Sequence, residues 1–96
     1  MQFIAVVRRL TESFPKEAFE ALLDDEAEGV RRLYAEGIIR VAWSREDVLG
    51  ACLLLEADSR EHAQSSLMTL PLFHHKMVEY QIVPLRGYRG FGPMSV

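Results

Sequence analysis

The sequence predicts an α+β domain, a four-stranded antiparallel sheet carrying two helices on one face. Three observations carry this. A long stretch repeats its apolar residues at helical spacing, with Phe19, Leu22, Leu23, Val30, Leu33 and Tyr34 as the stripe. Four shorter runs are rich in β-branched and aliphatic residues and have the length of strands. The two middle runs are separated only by Arg45-Glu46-Asp47, which suits a hairpin.

Residues 2–9 open the chain as a strand. Thr11 or Ser13 followed by Phe14-Pro15 marks a helix start, since proline is preorganised for a first turn. The helical period then runs from Lys16 to Glu36, and Gly37 stands where a left-handed cap ends a helix. Ile38 to Ser44 reads as the second strand, with Ile39, Val41 and Trp43 on one face. Val48 to Ala57 is the third. Asp58 with Glu61 three residues on forms a capping box for a helix that runs to about Leu70 and stops before Pro71. Met77 to Leu85 is the last strand, with Val78, Tyr80 and Ile82 on one face. The stretch 86–96 is a Gly-rich tail with turn chemistry. The order β-α-β-β-α-β in one short domain spanning 1–96 is the ferredoxin-like split βαβ arrangement.

Composition narrows the function. With 96 residues the chain has room for one core, and 26% charged residues argue for an ordered chain. No run of about 18 apolar residues occurs, so no membrane span is expected. The opening residues place Arg8-Arg9 after a short apolar run, the reverse of a signal peptide. The single cysteine, Cys52, has no disulfide partner in the chain, and no Cys/His spacing suggests structural zinc. These features point to a cytoplasmic protein. A net charge of −3 with no basic block makes nucleic acid a poor partner. An RNA-binding sheet would need exposed aromatic and basic residues, and the mostly aliphatic strands oppose it.

The apolar content is high for so short a chain: 49% of residues are hydrophobic, the upper end of the usual ~45–50%. The third strand, Val48-Leu-Gly-Ala-Cys-Leu-Leu-Leu, is apolar on both faces, and the first is similar. A sheet face in water should show alternating polar residues, so something apolar covers the second face. The economical cover is the same face of another copy, giving a C2 dimer with a two-sheet barrel.

Glu26 is the odd residue of the first helix, because it lies along the apolar stripe at i+3 from Leu23 and i−4 from Val30. Two readings fit it. One is an acid at the stripe edge that reaches water or pairs with Arg40. The other is a general base whose proton affinity is raised by apolar surroundings. Arg40, inside the second strand, is either a clamp for a carboxylate or an edge-strand charge that discourages aggregation. Trp43 is either a core or interface anchor or a wall of a ligand site. His74 and His75 read as a solvated pair in a loop, and Cys52 as an inert mid-strand thiol.

Glu26, Leu33, Glu36-Gly37, Arg40, Trp43 and Leu70-Pro71-Leu72-Phe73 stand at the same relative spacing as in muconolactone isomerases. From about Asp25 to Phe73 the chain resembles that family without gaps, and the Leu-Pro-Leu-Phe string is the most specific piece. The resemblance implies a ferredoxin-like fold, a dimeric α+β barrel and larger homo-oligomers, often decamers. It implies no metal or organic cofactor, and a proton shift in a small enol-lactone of aromatic catabolism. It also implies that Glu26 is the acid-base residue, with Arg40 and Trp43 as candidate substrate contacts. The chain departs from the family at Leu49 and Ala51, where the isomerases carry a tyrosine and an asparagine. Val41 stands in place of a histidine, and Ile4 and Val6 in place of polar residues of the first strand. Two functions follow as expectations: a cofactor-independent isomerase of a small lactone or carbonyl compound, or a non-catalytic small-ligand-binding or assembly module that keeps the barrel.

Overall fold

Strict alternation in the first strand sets the layout. In the computed structural model, which describes residues 1–91, β1 (Gln2–Arg9) lies at the centre of the sheet, between β3 (Gly50–Glu56) and β4 (Val78–Leu85). The strand order is β2-β3-β1-β4, with β2 (Ile39–Ser44) at an edge and every pairing antiparallel. Phe3, Ala5 and Val7 point to the helices and pair with Leu55, Leu53 and Ala51. They build the core with Leu33, Ile39, Leu67 and Leu70, all but inaccessible to solvent. Burying each such side chain is worth about 1.5–3 kcal/mol. Ile4 and Val6 pair with Leu54 and Cys52 on the other, uncovered face. The apolar excess of the third strand is therefore divided between the two faces, as the sequence predicts.

The long first helix is in fact two. α1 (Lys16–Glu20) closes with the Leu22 N–H bonded to the Phe19 carbonyl, and α2 (Leu23–Ala35) starts afresh at Leu22. The break lets Phe19 enter the core edge-on to Phe14, with ring centroids 6.2 Å apart. It also puts Asp24, Asp25 and Glu26 in a new first turn, where acids suit the helix dipole. At the other end the N–H of Gly37 bonds to the Tyr34 carbonyl and that of Ile38 to the Leu33 carbonyl. With Gly37 at φ 81° this is a complete Schellman cap.

Three other expectations are corrected. α3 (Arg60–Leu67) is capped by Ser59, one residue after Asp58: its hydroxyl accepts the His62 N–H at 3.0 Å, and the His62 Nδ1 accepts the Asp58 N–H in place of a glutamate. Pro71 does not merely stop that helix. It starts a further short one, α4 (Pro71–His74), so His74 lies on a helix rather than in a loop. In β2, Ile39 pairs with Leu55 and Val41 already with Leu54, so Arg40 is the extra residue of a β-bulge. A bulge reverses the parity of the strand. Ile39 faces the helices, whereas Val41 and Trp43 turn to the open face.

The tail forms one 3-10 turn at Arg89–Phe91, where Tyr88 and Phe91 meet edge-on with centroids 4.9 Å apart. The remainder of the tail, 92–96, lies outside the described residues. Among the described residues no helix is long and apolar enough to cross a membrane.

Two backbone positions yield testable consequences. A Cβ at Gly50 would collide with the carbonyl oxygen of Val7, because the β1–β3 pair closes tightly there. Gly50→Ala should lower unfolding free energy by at least about 1–3 kcal/mol in a urea titration, the usual cost of overpacking. Lys76 sits at φ 58° where α4 ends, with the Met77 N–H bonded to the Leu72 carbonyl. Lys76→Gly relieves that strain and should raise stability by about 0.5–1 kcal/mol in the same measurement.

Candidate functional site

Glu26 follows the apolar stripe of α2 into a half-buried position. Its Oε1 accepts the backbone N–H of Leu72 at 2.8 Å. Pro71 has no N–H, so Leu72 offers the first free donor of α4, and no side chain of α4 caps it. The carboxylate of one helix thus caps the other. Its second oxygen, Oε2, has no hydrogen-bond partner among the described residues.

Beside this carboxylate is a cavity of about 150 Å³. Val7, Ala51 and Leu53 form its floor on the sheet, Val30 and Leu70 its side, and Leu72 and Phe73 its far wall. The polar side chains that line it are Glu26, Arg9 and Ser44. Burial raises the proton affinity of Glu26 above the ordinary carboxylate value. The Leu72 N–H and the positive charge of Arg9 act in the opposite direction but leave the net shift upward. Among the described residues no cluster of His, Cys, Asp or Glu could hold a metal ion.

The structure brings only one of the three sequence candidates to this cavity. Arg40, exposed on the bulge, does not line it. Trp43 stands half-exposed on the open face opposite Cys52. Neither side chain lines the cavity beside Glu26. His74 and His75 are exposed and stack edge-on at 5.2 Å, away from the cavity lining.

The sequence reading missed Arg9. The signal was present in the two-residue period of β1, which puts Arg9 on the same face as Phe3, Ala5 and Val7 and Arg8 on the other. Arg8 pairs with Glu12 and Glu79 on the open side at 2.9 and 2.7 Å, and it holds the Glu12 carboxyl down to about 2. Arg9, opposite Val78, faces the helix layer. Two of the departures from the isomerase pattern also find a place here, since Ala51 lines the cavity and Leu49 lines a groove next to it. Ile4, Val6 and Val41 lie on the open face instead.

A four-stranded antiparallel sheet under a helical layer makes this an α+β protein, with a half-buried carboxylate over an apolar cavity. The chain belongs to the muconolactone delta-isomerase family, which it matches over residues 1–90. It is similar in structure to muconolactone isomerase, with a TM-score of 0.75 at 26% identity, over 100% of this chain and 95% of that one. The 5-chloro-2-hydroxyhydroquinone dehydrochlorinase of Burkholderia phenoliruptrix, solved in complex with 2,5-dihydroxybenzoquinone, has a TM-score of 0.68. At 16% identity, over 94% of this chain and 98% of that one, this second likeness is one of fold. A search of curated proteins matches none.

A buried carboxylate that resists ionisation destabilises the fold once pH rises through its folded pKa. Glu26→Gln keeps an acceptor for the Leu72 N–H and removes that cost. The variant should match the parent in acid, below the ordinary glutamate value of 4.5, and exceed it in stability as pH rises past the folded pKa. Urea titrations at stepped pH check this; a difference independent of pH would contradict burial as the cause. Glu26→Leu instead strands the Leu72 N–H and should cost about 1–3 kcal/mol.

Proposed function

We propose that this chain is a cofactor-independent proton-shift isomerase of a small lactone or carbonyl compound, with Glu26 as the base. The observation that carries the reading is the Glu26 carboxylate itself, half-buried beside the cavity with one oxygen tied and the other free. Oε1, held by the Leu72 N–H, fixes the plane of the group. Oε2 removes a proton from a carbon next to the substrate carbonyl, and the electron pair of that C–H bond moves into the enolate. The same oxygen then returns the proton to a different carbon of the conjugated system, so the double bond shifts and no atom is gained or lost. A base with raised proton affinity serves both halves of this exchange near neutral pH.

A homo-oligomer completes the proposal. Ile4, Val6, Val41, Trp43, Cys52 and Leu54 make the open face apolar across three strands. Trp43 alone is 50% exposed in the isolated chain. A second copy stacked face to face buries this surface and forms the dimeric barrel, within which larger rings such as a decamer can assemble. Arg40 and Trp43 are then positioned to serve a neighbouring copy's site. We place the protein in the cytoplasm, in aromatic catabolism. The second reading, a small-ligand-binding or assembly module without turnover, is favoured by one observation. Ala51 and Leu49 supply no hydrogen bond to an enolate oxygen, and such donors carry a large part of catalysis of this kind.

Muconolactone is the first substrate to test, by following the proton shift with NMR in deuterated water. Glu26→Gln should lower turnover about 10²–10⁴-fold and leave the oligomer intact in analytical ultracentrifugation. Unchanged turnover would sink the catalytic role. Ligand binding without any proton exchange would favour the module.

A further inference from the structure

Arg9 ends β1 on the helix face, with its own N–H bonded to the Leu49 carbonyl at 2.8 Å. Its guanidinium lies 5.7 Å from the centroid of the Phe19 ring. Among the described residues it makes no ion pair and donates no side-chain hydrogen bond. Arg8, Arg31, Arg32 and Arg45 each pair with a carboxylate. A half-buried guanidinium held over an aromatic face has its donor fork free, in the geometry that binds a carboxylate through two parallel hydrogen bonds.

Arg9 also borders two concavities. One is the cavity beside Glu26. The other is an apolar groove of about 450 Å³ walled by Phe14, Phe19, Leu23 and Leu49. The start of β3 runs past both: Leu49 lines the groove, and its neighbours Gly50 and Ala51 line the cavity. The groove meets the cavity at Arg9, so a ligand held at Arg9 can extend into it.

Resting on the proposal that the Glu26 cavity is the substrate site, we infer that this site takes an organic anion bearing an apolar substituent, with Arg9 as the anchor between the two concavities. The anionic group lies on the Arg9 fork, the reacting carbon reaches Oε2 of Glu26, and an aryl or short alkyl group fills the groove. Leu49 then has a function as the groove's wall. It makes this site selective for substrates larger and less polar than an unsubstituted lactone acid.

Isothermal titration calorimetry on the intact protein tests this with 4-phenylbutanoate, butanoate and 4-phenylbutan-1-ol as probes. The phenyl acid should bind at least about tenfold more tightly than either the short acid or the alcohol, the difference expected for one charge-assisted contact or one buried ring. Arg9→Met should remove the advantage of the acid over the alcohol. Arg9→Lys, which keeps the charge and loses the fork, should remove part of it and covers a failure of Arg9→Met to fold. Leu49→Asn should weaken the phenyl acid several-fold. Equal binding of acid and alcohol, undiminished binding by the folded Arg9 variants, or no binding of any probe at millimolar concentration would each overturn the inference. The two readings fail separately. Glu26→Gln should retain the binding series, so a series that holds without proton exchange counts only against catalysis, and one that fails beside an active enzyme counts only against this substrate class.

Discussion

A hydrogen bond from the Leu72 N–H to Oε1 of Glu26 ties α4 to α2. α4 is only four residues long, far below the length at which a helix stands by itself. Its start at Pro71 leaves Leu72 with a donor that its own segment cannot satisfy. Glu26 supplies the acceptor from α2, and Leu70, Leu72 and Phe73 are thereby seated in the core. The same contact orients the carboxylate, so that one oxygen is tied and the other has no hydrogen-bond partner among the described residues. In the proposed mechanism stability and catalysis share this one side chain, which is why a glutamine, able to keep the first role and not the second, separates them.

The second constraint is the parity of the sheet. Two adjacent arginines at the end of β1 have opposite fates because successive side chains leave a strand on opposite sides. Arg8 is neutralised on the open face by Glu12 and Glu79. Arg9 enters the helix layer, where it faces no carboxylate at pairing distance and instead overlies Phe19. The open face keeps its aliphatic middle, with the charged network of Arg8, Glu79 and Arg45 at one end. In the proposed dimer that combination would give the interface an apolar centre with a polar margin.

Much of the fold could be read from local pattern. The limits of β1, the Gly37 cap, the order of strands and helical regions and the two-faced apolar third strand all follow from the spacing of residues close together in sequence. The errors share a cause as well. The helix divides at Leu22, and Phe19 just before the break is buried in the core. Arg40 is bulged, and this shifts Val41 and Trp43 to the face opposite Ile39, an inversion that no propensity announces. The cap moves from Asp58 to Ser59, and a histidine takes the role usually held by glutamate.

For the site, the sequence by itself determined that an acid lies on the apolar stripe of the first helical region, since the 3.6-residue period makes position 26 a neighbour of Leu22, Leu23 and Val30. It also determined the Leu-Pro-Leu-Phe string that starts α4. Only the tertiary structure decided that these two meet, across 46 residues of chain, and that Arg9 rather than Arg40 stands beside the carboxylate. Periodicity says which side of its own element a residue occupies. Which residue of another element it faces depends on strand register, on a bulge and on how two short helices pack, and those are properties of the assembled core.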